Sequence, residues 1–252
     1  MKKFLSLVLA LVMTMSLVTV SAGAKDFSDA EGIQYTEAVE VLSAIGVING
    51  MPDGSFQPEA GLTRAQAAKI ITSITLTPDT AAALSTDTAP FSDVPVSHWA
   101  AGYIAEGVDS GILAGVGGGK FAPDAELTGY QFLKMLLAAL DFDATAEGMT
   151  GATWTIAVAK LAKDVGLTAG ISNFVGSKAV TREEAAQMAL NALKEKKVSL
   201  KKAEKELTSL EAKKAKADAK AAEEAKKAEA ENVVKKLLAS GVSADEILEK
   251  LK

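Results

Sequence analysis

Apolar residues recur at helical spacing in paired segments, and a glycine-rich turn joins the two members of each pair. In the first pair, the spacing predicts one helix that ends near Gly46 and a second that begins at Thr63. Gly46 can adopt the left-handed conformation that closes a helix. Thr63 and Gln66 match the capping box, in which two side chains satisfy backbone donors at a helix start. The predicted buried faces are Ala38, Val39, Leu42 and Ile45, then Ala67, Ile70, Ile71 and Ile74.

The same order of parts returns twice along the chain. A second copy has its turn glycine at Gly111 and its helix start at Thr128, about 65 residues on, and a looser third copy has Gly166 and Thr181. Residues 75–89 read as a linker with a short helix over 81–84. We expect the three copies to close one shared core. The further predicted faces are Tyr103, Ile104, Val108; Phe132, Leu133, Leu136, Leu137, Leu140; Ile156, Val158, Leu161, Val165; and Ala185, Met188, Ala189, Ala192, Leu193.

The two ends of the chain differ from the repeats. Residues 1–24 have a basic start, an apolar stretch and the small-residue ending Ala22-Gly-Ala24, which predicts a signal peptide removed before Lys25; a retained N-terminal anchor is the alternative. No other stretch is apolar enough to span a membrane. Residues 195–240 lack proline and glycine and are rich in Ala, Lys and Glu, which predicts a long helix. Residues 241–252 predict a terminal helix closing a short hairpin.

The long helix has two interpretations. It is either a solvated spacer or a self-associating coiled coil, because the apolar spacing fades into alanine and lysine. Val198-Ser199 is a place where the helix could break. The apolar positions at coiled-coil spacing are Leu200, Ala203, Leu207 and Leu210.

Composition and charge exclude several classes of function. The chain has 252 residues with 48% apolar, no cysteine and one histidine, His98, so disulfides, cysteine nucleophiles and the usual zinc sites are excluded. Residues 25–193 carry 9 Lys and Arg against 20 Asp and Glu, whereas residues 194–252 carry 16 Lys against 12 acidic residues. An acidic body argues against nucleic acid. An anionic ligand would need particular arginines, and Arg64 follows a helix start where backbone N–H groups are also exposed.

The repeated motifs resemble those of the S-layer homology (SLH) domain. Phe-Ser-Asp-Val, His-Trp-Ala, Gly-Ile-x-x-Gly, Phe-x-Pro-Asp and Thr-Arg-Ala-Gln occur in fixed order, and the resemblance covers residues 27–193. It implies an all-α, pseudo-threefold unit of three modules that binds secondary cell-wall polysaccharide, often pyruvylated. The modules would span residues 25–76, 90–143 and 151–194, the last one divergent.

The resemblance also implies a set of glycan-binding residues in grooves between modules. Repeat two has Gly129 where the other repeats have arginine, and repeat one has Gln34 and Tyr35 where the others have tryptophan. A glycine offers no bidentate partner for a carboxylate, so we expect two or fewer competent grooves. Transferred to this chain, the ligand-binding residues are Arg64, Arg182, Trp99, Trp154, Gly50 and Gly115.

Three classes of function follow. The first is non-catalytic anchoring to the bacterial cell wall by a secreted surface protein of the S-layer type, with a projecting helical spacer. The second is an envelope tether whose C-terminal helix binds another protein or self-associates. The third is an accessory subunit of a surface enzyme. No hydrolase, metalloprotease or phosphate-loop motif occurs in the chain, so we expect no catalysis, metal or cofactor, and a polysaccharide rather than nucleic acid as partner.

Overall fold

The computed structural model describes residues 26–76 and 78–240. The predictions of a signal peptide over residues 1–24 and of a terminal helix over 241–252 lie outside the described residues. The all-α prediction is confirmed, because strand pairing in the described part is limited to isolated bridges. The elements are a 3-10 helix, Ala30–Gly32, and the α-helices α1 Thr36–Ala44, α2 Arg64–Thr75, α3 Pro78–Ala82, α4 Ala101–Asp109, α5 Gly129–Ala139, α6 Trp154–Asp164 and α7 Arg182–Ala239.

Each repeat is a helix, a turn and a second helix, as the sequence predicts. The turn glycines Gly46, Gly111 and Gly166 have φ of 75°, 75° and 77°, the left-handed conformation that ends the first helix of each repeat. The capping box at the second helix is also formed three times. Its hydrogen bonds join Thr63 with Gln66, Thr128 with Gln131, and Thr181 with Glu184.

A closed cycle of three backbone hydrogen bonds joins the repeats. The Leu62 N–H donates to the Val180 carbonyl (2.9 Å), the Val180 N–H to the Leu127 carbonyl (2.9 Å), and the Leu127 N–H to the Leu62 carbonyl (3.0 Å). These residues immediately precede the three capping threonines. Since each repeat both donates and accepts, the segments before α2, α5 and α7 form a pseudo-threefold ring.

Helix packing follows the same cyclic order. The second helix of each repeat meets the first helix of the next, with α2 against α4 and α5 against α6. The start of α7 returns to α1, where Lys194 Nζ lies 3.0 Å from Glu37 Oε1. Helix α5 carries a deeply buried face, with Phe132, Leu133, Leu136 and Leu137 fully buried. One continuous cluster of buried apolar residues contains members from all three repeats.

Three local predictions were wrong. Ile156 was assigned to the buried face of α6, but its side chain is 69% exposed; the buried residues of this helix are Val158, which was predicted, and Ala162, which was not. The short helix in the linker is Pro78–Ala82 rather than 81–84, since proline is well suited to the first turn of a helix. Helix α4 begins at Ala101 rather than at His98-Trp99.

The C-terminal part of α7 belongs to a separate unit that begins at Ser199. The helix continues through Val198 and Ser199 to Ala239 without a break. Several of its apolar side chains are exposed. The described ones include Leu207, Leu210, Val233, Leu237 and Leu238. Across residues 26–76 and 78–240, no helix combines the length and the apolar character needed to cross a bilayer.

Candidate functional site

Arg64 lies at the contact between repeats one and two, which we call the 1–2 interface. Its Nε donates to the Phe121 carbonyl (2.7 Å) and its Nη2 to the Ala114 carbonyl (2.8 Å). The guanidinium lies over the Phe121 ring, 4.4 Å from its centroid. Arg64 is only 8% exposed. The side chain therefore joins the start of α2 to the turn of the following repeat.

Arg182 makes the equivalent contacts between repeats three and one, the 3–1 interface. Its Nε donates to the Phe56 carbonyl (2.8 Å) and its Nη2 to the Asn49 carbonyl (3.1 Å), and it lies 4.8 Å from the centroid of the Phe56 ring. It is 7% exposed. Burial lowers the pKa of both arginines, and nearby carboxylates oppose this shift: Asp93 for Arg64 and Asp29 for Arg182. The structure thus places both predicted arginines at interfaces between repeats.

The 2–3 interface is built without an arginine. A Cβ atom on Gly129 would lie 2.5 Å from Cζ of Phe174, so the Phe174 ring fills the space beside this glycine. On the other side, a Cβ atom on Gly176 would meet the Tyr130 ring, so that ring packs against Gly176. Two aromatic rings against two glycines thus take the place of the arginine contacts at this interface.

The expectation that backbone N–H groups beside Arg64 are free for an anion is wrong. The N–H groups of Arg64 and Ala65 donate to the carbonyls of Ala125 and Pro123, each at 2.9 Å. The next repeat therefore uses the donors at this helix start. An anion at this interface would have to bind the guanidinium or other donors.

Asp29 and Asp93 fix the turns against which the arginines pack. The Asp93 carboxylate accepts from the N–H groups of Phe121 and Ala122, both at 2.8 Å, and Asp29 accepts in the same way from Phe56 and Gln57. These hydrogen bonds lower the pKa of both aspartates, with the N–H of the phenylalanine as the largest cause in each case. The Phe-Ser-Asp opening of repeats one and two thus positions the phenylalanine that the arginine covers.

The remaining predicted site residues divide into exposed and packed ones. Trp99 is 56% exposed and stacks on His98 with 5.8 Å between ring centroids. Trp154 is half-buried, packs against the core and has Lys134 Nζ 5.5 Å from its ring centroid. Gly50 and Gly115 leave room for aromatic rings, because a Cβ on either would lie 2.6 Å from a carbon of Phe27 or Phe91, respectively. Trp99 is thus the tryptophan that offers the larger exposed surface.

Glu183 was not predicted as a site residue. It is 4% exposed, and its Oε2 accepts from the N–H groups of Gln34 (2.7 Å) and Tyr35 (3.4 Å), just before α1. Its counterparts after the other helix starts are Ala65 and Tyr130. Repeat three has Thr-Arg-Glu-Glu where repeat one has Thr-Arg-Ala-Gln, and this change from alanine to glutamate is the one feature of the sequence that could have singled out Glu183.

Other chemistry is sparse in the part of the chain that the structure describes. No group of three or more His, Asp or Glu side chains there is arranged to hold a metal ion. Asp53 accepts hydrogen bonds from the Ser55 N–H (2.9 Å) and hydroxyl (2.6 Å), so its side chain stabilises the turn. A shallow depression on repeat one is lined by Gly32, Gln57, Pro58, Glu59 and Ala60. None of those five side chains is basic, so the depression does not suit an acidic ligand.

Comparison with known proteins finds a family match for two of the three repeats. Residues 26–68 and 90–133 match the S-layer homology domain. The SLH match covers the first two predicted modules and does not extend to the third repeat. The matched segments contain Arg64 and Trp99, and also Ala114 and Phe121, whose carbonyls Arg64 binds.

Relatives of this chain are bacterial surface proteins. It is 31% identical to a cell surface protein of Thermoanaerobacter kivui over 68% of this chain and 22% of that protein. It is 27% identical to S-layer protein EA1 of Bacillus anthracis over 74% of this chain and 22% of that protein. It is 41% identical to a cellulosome-anchoring protein of Acetivibrio thermocellus over 32% of this chain and 17% of that protein. The chain spans less than a quarter of the length of these relatives, and the SLH matches indicate a cell-surface location.

Proposed function

We propose that this chain is a non-catalytic anchor that attaches to the bacterial cell wall by binding an acidic, pyruvylated secondary cell-wall polysaccharide. The two SLH segments and the anchoring relative support the general role. The observation that carries the proposal is a buried guanidinium at the seam between two repeats, in a body whose net charge is strongly negative. Because the overall field repels anions, such a cation serves as a local and specific partner.

The guanidinium of Arg64 retains donors for a ligand. An arginine has five N–H donors, and the hydrogen bonds to Phe121 and Ala114 use two of them. A carboxylate that contacts the remaining part of the fork would form charge-assisted hydrogen bonds. Trp99, exposed in the same repeat as Phe121, would offer an apolar face to a sugar ring.

We also propose that the third repeat is a divergent SLH module. The ring of hydrogen bonds supports this, because Val180 takes the place that Leu62 and Leu127 take in the other repeats. The turn glycine Gly166 and the capping box at Thr181 recur as well. In this proposal the third repeat has lost the Phe-Ser-Asp opening but keeps the role of closing the ring.

A sedimentation assay on isolated walls tests the anchoring function. The chain without residues 1–24 is mixed with intact walls that carry an acidic secondary polysaccharide and with walls stripped of that polysaccharide. We expect binding to the intact walls and little binding to the stripped ones. Equal binding to both would favour a tether that recognises peptidoglycan or another wall component.

A second candidate role concerns self-association through residues 195–240. Its support is the set of exposed apolar side chains in this helix, with Leu207 46% and Leu210 60% exposed. Two such helices could bury these residues against each other. Analytical ultracentrifugation of the chain without residues 1–24 tests this. We expect a concentration-dependent dimer that becomes a monomer in the Leu207→Lys, Leu210→Lys variant; a monomer at all concentrations contradicts the idea.

A further inference from the structure

We infer that the acidic glycan binds at one of the three interfaces only, the 1–2 interface, because the protein itself closes the other two. This inference rests on the proposed function and states which part of the ring performs it. Its evidence is the difference between three positions that the pseudo-threefold ring makes equivalent: Ala65, Tyr130 and Glu183. Each follows the first residue of a second helix, and each donates its N–H to the turn of the next repeat, at Pro123, Gly176 and Pro58.

At the 3–1 interface the protein supplies its own carboxylate. Glu183 reaches across from repeat three and accepts from the backbone of Gln34 and Tyr35. Gln34 stands twelve residues before Gly46, as Trp99 stands twelve before Gly111. The glutamate therefore binds the backbone at the position where repeat one lacks the tryptophan. A second carboxylate brought close to it would be repelled, and the buried one would have to move.

At the 2–3 interface aromatic rings take the space. Tyr130 packs against Gly176 and Phe174 against Gly129, so this seam has neither the guanidinium nor room beside the glycine. Repeat three also lacks an aspartate equivalent to Asp29 and Asp93. Arginine and aspartate are thus absent together, as expected if they act as one unit.

The 1–2 interface is the remaining one, and its residue at the corresponding position is the buried Ala65. Ala65 ends in a methyl group, so repeat one brings no carboxylate toward the start of α4. Arg64 and Asp93 are present there, and the exposed Trp99 takes in repeat two the position that Gln34 takes in repeat one. Within the described residues, this is the one interface whose arginine is followed in the chain by a residue without a carboxylate and whose next repeat carries an exposed tryptophan.

The test places the carboxylate of the 3–1 interface into the 1–2 interface. Ala65→Glu gives repeat one the residue that repeat three carries, and Ala65→Ser is the matched control with a small neutral side chain. Glu183→Gln keeps the shape of Glu183 without its charge. Binding isotherms to intact walls are measured for the chain without residues 1–24, and near-ultraviolet circular dichroism reports the fold of each variant.

We expect Ala65→Glu to weaken wall binding by more than about tenfold, while Ala65→Ser and Glu183→Gln stay within about twofold of the unsubstituted chain. Calorimetric titration with polysaccharide released from the walls should give one site per chain. A folded Ala65→Glu variant that binds like the unsubstituted chain would overturn the inference, as would a folded Glu183→Gln variant with tenfold weaker binding. Two sites per chain would overturn it even if Ala65→Glu did not fold.

These outcomes are separable from failure of the proposed function. If the unsubstituted chain binds intact and stripped walls equally, the proposed function falls and the single-site inference falls with it. If the unsubstituted chain binds only intact walls but the substitutions give the overturning results, anchoring stands and the assignment of the interface is wrong.

Discussion

Replacing Arg182 by alanine should destabilise the ring of repeats by about 3 kcal/mol. The substitution removes two hydrogen bonds from a charged donor, to the Phe56 and Asn49 carbonyls, and each is worth about 1.5–3 kcal/mol. It also removes the contact with the Phe56 ring, worth about 0.5–2 kcal/mol. Part of this loss is offset, because the variant no longer has a guanidinium to desolvate on folding and because water can reach the two carbonyls in the loosened seam. The net figure lies near the lower end of the sum.

Urea denaturation followed by tryptophan fluorescence measures the effect, because Trp99 and Trp154 both lie within the repeats. For a unit of this size, about 3 kcal/mol corresponds to a lowering of Tm by about 6–12 °C. The denaturant slope should stay unchanged, which would show that the native state and not the unfolded state has changed.

The control is Arg182→Lys, which keeps the positive charge and loses the planar fork. One amine cannot reproduce both hydrogen bonds and the stacking, so we expect an intermediate loss of stability. If Arg182→Ala lies within about 0.5 kcal/mol of the unsubstituted chain, the clamp contributes nothing measurable and the reasoning fails.

Two further predictions concern the turns and the altered seam. Gly129→Ala should lower the free energy of unfolding by about 1–3 kcal/mol in the same urea assay, because the added methyl group meets Phe174; unchanged stability would show that the ring moves aside freely. Asp29 and Asp93 have pKa values below their ordinary 3.8, so their stabilising effect is complete above that value and is lost as the pH falls through the lowered values. Tm scans from about pH 6 to about pH 2.5 should show a steep acid fall that is flatter in the Asp29→Asn, Asp93→Asn double variant; equal slopes would refute the assignment.

Much of the fold was predictable because it depends on local signals. The turn glycines and capping boxes need only a few neighbouring residues, and Gly46, Thr63 and Gln66 adopt the expected conformations and contacts. The repetition of these signals also indicated a shared core. The buried face of α6 was predicted less well. Both Ile156 and Ala162 are apolar and could lie on that face, and tertiary packing buries Ala162 and leaves Ile156 exposed.

The site depends on contacts that sequence spacing does not contain. The position in the motif singled out Arg64 and Arg182. It did not predict that each guanidinium would donate hydrogen bonds to carbonyls of a different repeat. Likewise, Glu183 meets Gln34 from 149 positions away in the chain. The cyclic order of the repeats creates this contact, and a single repeat gives no sign of it.

The acidity of the ligand is tested most directly by competition for wall binding. The chain without residues 1–24 is bound to intact walls and then challenged with released polysaccharide, either pyruvylated or with the pyruvate removed by mild acid. If a guanidinium at the seam of two repeats holds a carboxylate, the pyruvylated polymer releases the protein and the treated polymer does not. Equal release by both polymers would contradict the account.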